Sequence, residues 1–281
     1  MLDVKELKRL KVIVFDLDGT LLNDQGEIGT ESTRLVKLLQ EKGVIFTFAS
    51  GRLHSALTMY ADELGIKAPI ISMDGAYIKD YPDGNVIAET YMPRKKVQKV
   101  IDYAERYLVK FAICQPEAIY YTEHNAVVPD LIDKFGARFE EVDMYDHLLD
   151  NTLEMLLISD MRGHLKYIKK MMTFPYTWGL LTSYSKSLSN EGLYYLEIKR
   201  KGSTKASGLH RLVKHLKISI RETAVIGDWY NDLSLFETNA VKVALENAVG
   251  DLKDKADLIT KRDNNADGVA EFLEEVLKAK S

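Results

Sequence analysis

The chain has 281 residues, 46% of them hydrophobic and 28% charged, with a formal net charge of -4. That length can bury a full core and suits one large domain or two ordinary ones, and the composition excludes wholesale disorder. The slight acidity gives no reason to expect a nucleic acid or an anionic membrane surface as partner, so an anionic ligand would need local cations to hold it.

Cys114 is the single cysteine. An internal disulfide and a cysteine-based metal cluster are therefore excluded. Residues 1–11 carry no long apolar stretch, and no apolar run reaches membrane-spanning length. The expectation is a cytoplasmic protein without a leader.

The first element is the apolar run at 12–15, which reads as a strand buried on both faces, as in a parallel sheet. After a loop with Asn23, Asp24 and Gly26, Thr30 is the expected N-cap of a helix. Leu35, Val36, Leu38 and Leu39 form its apolar stripe, and Gly43 closes it. A second buried strand at 44–49 ends at Ser50-Gly51. A helix over 53–64 stops at Gly65, and a third strand follows at 69–72. This alternation implies right-handed crossovers and a parallel sheet.

The pattern then changes. Short strands at 76–79 and 86–90 flank a turn with Pro82, Asp83 and Gly84. Pro93 opens a helix with Val97, Val100, Ile101 and Ala104 on one face. Beyond residue 111, short strands (118–122, 153–158, 177–182) mix with helices (125–135, 163–172), as in a separate α+β insert. Alternation resumes with a strand through Leu196 and Ile198, then a helix with Leu209, Leu212, Val213 and Leu216 on one face. A buried strand at 223–226, a helix near 230–238, strands at 241–244 and 258–259 and a last helix complete the chain. The fold class expected is α/β, a Rossmann-like doubly wound parallel sheet core with an inserted α+β cap domain. The core is read as 1–90 and 194–281, and the cap as 91–193.

Four polar clusters follow buried strands or open helices, which is where ligands bind in an open α/β sheet. In Asp16-Leu17-Asp18-Gly19-Thr20, two carboxylates two residues apart repel each other. A divalent ion such as Mg²⁺ would hold them, although the same residue types also make an ordinary turn. Ser50-Gly51-Arg52 exposes backbone N–H groups at a helix start, suited to phosphate or simply to capping. Lys205, in Gly202-Ser203-Thr204-Lys205, opens a helix against its dipole, which points to neutralising a phosphate or to a merely solvated lysine. In Gly227-Asp228-Trp229-Tyr230-Asn231-Asp232, Asp228 can complete a metal site with Asp16 and Asp18, with Asn231 and Asp232 supporting it, or can serve as an N-cap.

Taken together, DLDGT at 16–20, SGR at 50–52, Lys205 in KGSTKASGL, GDWYND at 227–232 and the tail segments VALENA, ADLIT and NADGVAEFLE resemble the haloacid dehalogenase superfamily of phosphatases. Within it they are similar to the Cof-type subfamily with a type IIB cap, over nearly the whole chain. The resemblance implies a Mg²⁺-dependent hydrolysis of small phosphomonoesters, sugar phosphates among them. Asp16 is then the nucleophile that forms an aspartyl-phosphate, and Asp18 the general acid and base. Mg²⁺ is held by the Asp16 and Asp228 carboxylates and the Asp18 carbonyl. Leu17, Ser50, Gly51, Arg52, Lys205 and Asn231 contact the phosphate or substrate, and Asp232 orients Lys205 or a metal-bound water. The implied partner is a small phosphorylated metabolite, with no nucleic acid and no membrane. The alternatives are a phosphomutase of the same superfamily and a non-catalytic phosphometabolite-binding protein.

Two positions depart from the subfamily pattern: Asp74 stands where Asn is usual, and Trp229 where a small residue is common. The six histidines show no metal spacing; His210 and His215 are five apart and share no helical face.

Overall fold

The computed structural model describes residues 3–82, 84–131, 137–187 and 190–281. The chain divides into two compact units, Met1–Ala88 with Thr204–Ser281, and Glu89–Ser203.

The first unit is built on five parallel strands in the order Leu258–Ile259, Val241–Ala244, Thr223–Gly227, Val12–Phe15, Ile45–Phe48. Side chains of a strand alternate between faces. Ile13 and Phe15 pack with Leu35, Leu39, Phe272 and Leu273, whereas Val12 and Val14 pack with Leu209, Leu212 and Leu235. Helices Thr30–Glu41 and Gly268–Lys280 cover one face and Lys205–Leu216 the other. Both faces are buried, so every position of Val12–Phe15 is apolar. The connections run to one side of Val12–Phe15 through Ile45–Phe48 and to the other through Thr223–Gly227. The strand order reverses there, the place at the carboxyl ends of the strands where an open α/β sheet binds its ligands.

Three expectations for this unit change. The strand Ile70–Ser72 meets the parallel sheet through the isolated bridge Ala49–Ile71 and pairs antiparallel with Tyr77–Lys79. The chain reverses immediately, at Met73–Gly75, instead of crossing over. The helix expected over 53–64 is Thr58–Leu64, preceded by turns. Thr30 is the first residue of its helix, not its cap. The free Ser32 N–H donates to Asp267 Oδ2 at 3.0 Å, and the Ser32 hydroxyl donates to Oδ1. A Cβ on Gly29 would lie 2.1 Å from Asp267 Cγ, so glycine leaves room for a cap from the far end of the chain.

The second unit holds a six-stranded sheet in the order Leu180–Lys186, Tyr194–Arg200, Glu154–Ser159, Lys110–Cys114, Ile119–Tyr121, Phe139–Glu141. Its neighbours pair antiparallel except the last two strands. Val97, Val100 and Ile101 of helix Arg94–Arg106 and Leu165 and Ile168 of helix Arg162–Met171 pack on Phe111, Ile113, Met155 and Leu157. Tyr194–Arg200, read from the sequence as the strand on which the core resumes, lies in this sheet with an antiparallel partner on either side. Its apolar Leu196 and Ile198 alternate with half-buried Glu197, the signature of an antiparallel strand with one packed face. Of the helix expected over 125–135, Val128–Leu131 is described; residues 132–136, like Asp83 of the expected turn, lie outside the described residues. Among the described residues no helix is long and apolar enough to cross a membrane.

Candidate active site

The register Phe15↔Ile226 aligns the ends of two neighbouring strands, and Asp16 N–H donates to Ile226 O at 2.9 Å. The residues that follow, Asp16 and Asp228, therefore emerge side by side. Lys205 enters from the first position of helix Lys205–Leu216, and its side chain is completely buried. The ammonium donates to Asp16 Oδ1 at 2.5 Å and to Asp232 Oδ1 at 2.6 Å. Asp232 Oδ2 accepts the backbone N–H groups of Asp228 (3.1 Å) and Trp229 (3.2 Å). One buried carboxylate thus fixes both the lysine and the loop that carries Asp228. This use of Asp232 splits the expected helix near 230–238 into a tight turn, Tyr230–Asp232, and the helix Leu233–Phe236.

Asp16, Asp228 and Asp232 each present an oxygen within 4.8 Å of the others, and all three are buried. Three carboxylates cluster around a single ammonium, which bonds two of them, so negative charge is in excess. Burial, reinforced by Asp232 and opposed by Lys205, pushes the Asp16 carboxyl well above its ordinary range. Burial likewise raises Asp228 to about 6, against the hydrogen bond that Thr20 Oγ1 donates to its Oδ1 at 2.6 Å. Burial alone would lower Lys205, but Asp16 and Asp232 outweigh it and hold the ammonium above the ordinary lysine value. A hard, all-oxygen donor set with surplus negative charge fits a small divalent cation. Both oxygens of Asp232 are already engaged, which leaves Asp16 and Asp228 as the carboxylates able to hold it.

Asp18 contributes no carboxylate to this group. Its side chain is 59% exposed and is gripped by Arg52, whose Nε donates to Oδ2 at 2.9 Å and whose Nη2 donates to Oδ1 at 2.6 Å. Arg52 is itself held by Tyr60, whose hydroxyl accepts from Nη1 at 3.2 Å and whose ring lies 5.3 Å from the guanidinium carbon. Ser50 is buried, and its Oγ accepts the Arg52 N–H at 3.1 Å. Gly51 borders Asp74, and the exposed Asn231 donates from Nδ2 to Asp74 Oδ1 at 3.4 Å. Asp74 has φ 49° and ψ 39°, a left-handed conformation that Asp tolerates better than most residues. The Leu17 side chain is fully buried, so only its backbone is offered to a ligand.

Sequence reasoning gave no role to Thr20, Tyr60 or Asn247. Asn247 Nδ2 donates to Gly19 O at 2.8 Å and steadies the loop after Asp18. Thr20 and Asn247 lie in the segments DLDGT and VALENA that carried the resemblance; Tyr60 had no signal beyond a helical apolar stripe.

Residues 13–273 match the family model of the haloacid dehalogenase-like hydrolases. The phosphatase YwpJ of Bacillus subtilis is 26% identical over 95% of this chain and 100% of its own length. The 5-amino-6-(5-phospho-D-ribitylamino)uracil phosphatase YwtE of the same organism is also 26% identical, over 95% of this chain and 98% of its own. Among solved structures, a haloacid dehalogenase-like hydrolase from Bacteroides thetaiotaomicron superposes with a TM-score of 0.82 at 27% identity, covering 95% of this chain and 99% of that one. With the family match spanning almost the whole sequence and the fold shared throughout, the chain belongs to the haloacid dehalogenase-like hydrolases and is an enzyme of their Cof type.

Proposed function

We propose that this enzyme is a Mg²⁺-dependent phosphatase of small phosphomonoesters, sugar phosphates among them, acting through an aspartyl-phosphate on Asp16. The observation that carries this reading is the buried contact of Lys205 with both Asp16 and Asp232. A wholly buried ammonium beside a strand-end carboxylate is poorly explained by stability alone, because both charges lose their hydration. It is well explained by a phosphoryl group whose oxygens need a cation where Asp16 attacks.

In the proposed reaction a carboxylate oxygen of Asp16 forms a bond to phosphorus as the ester oxygen leaves. Asp18 delivers the proton to that oxygen. Asp18 then takes a proton from the water that cleaves the acyl phosphate, releasing inorganic phosphate and restoring Asp16. Held by Asp16, Asp228 and the Asp18 carbonyl, Mg²⁺ would supply the positive charge that lets a carboxylate approach a phosphate anion. Ser50, the backbone of Leu17 and Gly51, Lys205 and Asn231 are assigned to the phosphoryl oxygens, and Arg52 orients Asp18. Asp232 positions Lys205. The second unit, Glu89–Ser203, which contains the insert read from the sequence as 91–193, takes the role of cap, recognising the leaving group. A relative that acts on a phosphorylated ribitylaminouracil supports a small phosphorylated metabolite as substrate, and a cytoplasmic location suits one.

The test is phosphate release from p-nitrophenyl phosphate with Mg²⁺ or with EDTA. Wild type is expected to turn over only with Mg²⁺, and Asp16→Asn not at all; unchanged turnover in Asp16→Asn would sink the mechanism. With a hexose phosphate, free phosphate supports hydrolysis, whereas an isomeric sugar phosphate would make the enzyme a mutase.

A further inference from the structure

We propose that Trp229 and Tyr230 form an aromatic platform that selects phosphomonoesters whose leaving group carries a planar ring; this rests on the phosphatase reading above. Trp229 is 53% and Tyr230 54% exposed, and their rings lie 5.3 Å apart at 75°. Among the described residues of the first unit, the other Phe and Tyr side chains are buried or half-buried. The remaining large apolar side chains exposed there, Val4, Met59, Val86 and Ile259, are single aliphatic residues. Two adjacent rings left in water forgo burial that every other Phe and Tyr described in the unit obtains, which calls for a ligand rather than a packing role.

The position of the pair points to which ligand. It sits in sequence between Asp228 and Asn231. Its backbone is tied down, since Trp229 N–H donates to Asp232 Oδ2 at 3.2 Å and Trp229 O accepts from Asp232 N–H at 2.9 Å. Asp232 also holds Lys205, and Lys205 holds Asp16. The loop bearing the rings is therefore anchored to the group that would receive the phosphate. A T-shaped pair offers a ring face to stack on and a ring edge beside it, a surface that favours a planar ring over an aliphatic chain.

The experiment compares benzyl phosphate with ethyl phosphate, both of which release a primary alcohol. Wild type is expected to prefer the benzyl ester in kcat/KM. In Trp229→Ala that preference falls roughly threefold to tenfold, chiefly through KM, and Trp229→Phe retains most of it. Equal loss for both esters in Trp229→Ala, or an unchanged ratio, overturns the platform while leaving the phosphatase reading intact. Absence of Mg²⁺-dependent hydrolysis of either ester by wild type overturns that reading and the platform with it.

Discussion

Lys205 places its ammonium 2.5 Å from Asp16 Oδ1, with the lysine side chain at 0% and the aspartate side chain at 5% exposure. A buried pair of this kind is costly to assemble and more costly to break, because removing one partner strands the other charge. Here two buried carboxylates, Asp16 and Asp232, share this one ammonium, and a third, Asp228, presents an oxygen within 4.8 Å of theirs.

Replacing Lys205 with Met, an unbranched side chain one heavy atom shorter and without the charge, should therefore lower unfolding free energy by about 3–5 kcal/mol at neutral pH. It should also reduce kcat by roughly a hundredfold to a thousandfold through loss of a phosphoryl-oxygen contact. Urea unfolding and steady-state kinetics read the two effects separately. A stability change too small to measure would mean that the carboxylates are not relying on this lysine.

Arg52 and Asp18 test a different kind of contact. Asp18 is largely exposed, so the pair adds little to stability, on the order of 1 kcal/mol or less. Its consequence is positional: the two-pronged grip fixes a carboxylate that otherwise swings in solvent. Arg52→Gln should lower kcat roughly tenfold to a hundredfold with a much smaller change in urea midpoint. Tyr60→Phe, which removes the hydroxyl that accepts from Arg52 and donates to Gly26 O at 3.4 Å but keeps the ring, should give a weaker effect in the same direction. If Arg52→Gln shifts stability as strongly as it shifts kcat, the arginine is a structural residue.

The two cases mark where sequence reasoning reached and where it stopped. A strand buried on both faces admits no charged side chain, so an acid directly after Val12–Phe15 or Thr223–Gly227 stands out. Lys205 stands out because a cation at a helix N-terminus works against the dipole. These signals depend on local context and were legible. The grip of Arg52 on Asp18 joins residues 34 apart through loop geometry, and the cap of Asp267 on Ser32 spans most of the chain; no local pattern encodes either. The strand Tyr194–Arg200 was readable in type but not in place. Its alternation of Leu196, Glu197 and Ile198 signals an antiparallel setting, whereas the strand–helix alternation that resumes with it suggests the core.

His54 supplies a pH dependence. It is 3% exposed, its ring packs edge-on against Tyr77 at 5.7 Å, and its Nδ1 has no hydrogen-bond partner among the described residues. Burial, with a smaller contribution from Lys79, lowers its pKa from 6.5 to about 4. The unfolded chain then binds the proton more readily than the folded one between those values, so stability rises with pH across that window. Acidification from above pH 6.5 towards pH 4 should cost up to about 3 kcal/mol through this residue. The urea midpoint of His54→Gln, which cannot titrate, should fall less between pH 7.5 and pH 5 than that of wild type. Parallel pH profiles for the two proteins would assign the acid sensitivity to other groups.

Gly19 tests the cation site without touching a ligand. Its φ is +78°, and a Cβ added there would lie 2.5 Å from Asp228 Oδ2 and 3.0 Å from Asp228 Cγ. Alanine would therefore bear a backbone cost of about 1 kcal/mol and push the Asp228 carboxylate or its own loop aside. Mg²⁺ that binds only the folded protein should stabilise wild type by about 2.7 kcal/mol at a hundredfold excess over its Kd, an increment that EDTA removes. Displacing a ligand by its neighbour typically weakens metal affinity tenfold or more, which takes away about 1.4 kcal/mol of that increment. The Mg²⁺-dependent rise in Tm should accordingly shrink in Gly19→Ala and persist in Gly250→Ala, where a Cβ meets nothing within 4 Å. Because the comparison is between increments, the backbone cost of each substitution cancels. An undiminished increment in Gly19→Ala would mean that Asp228 is not where the cation binds.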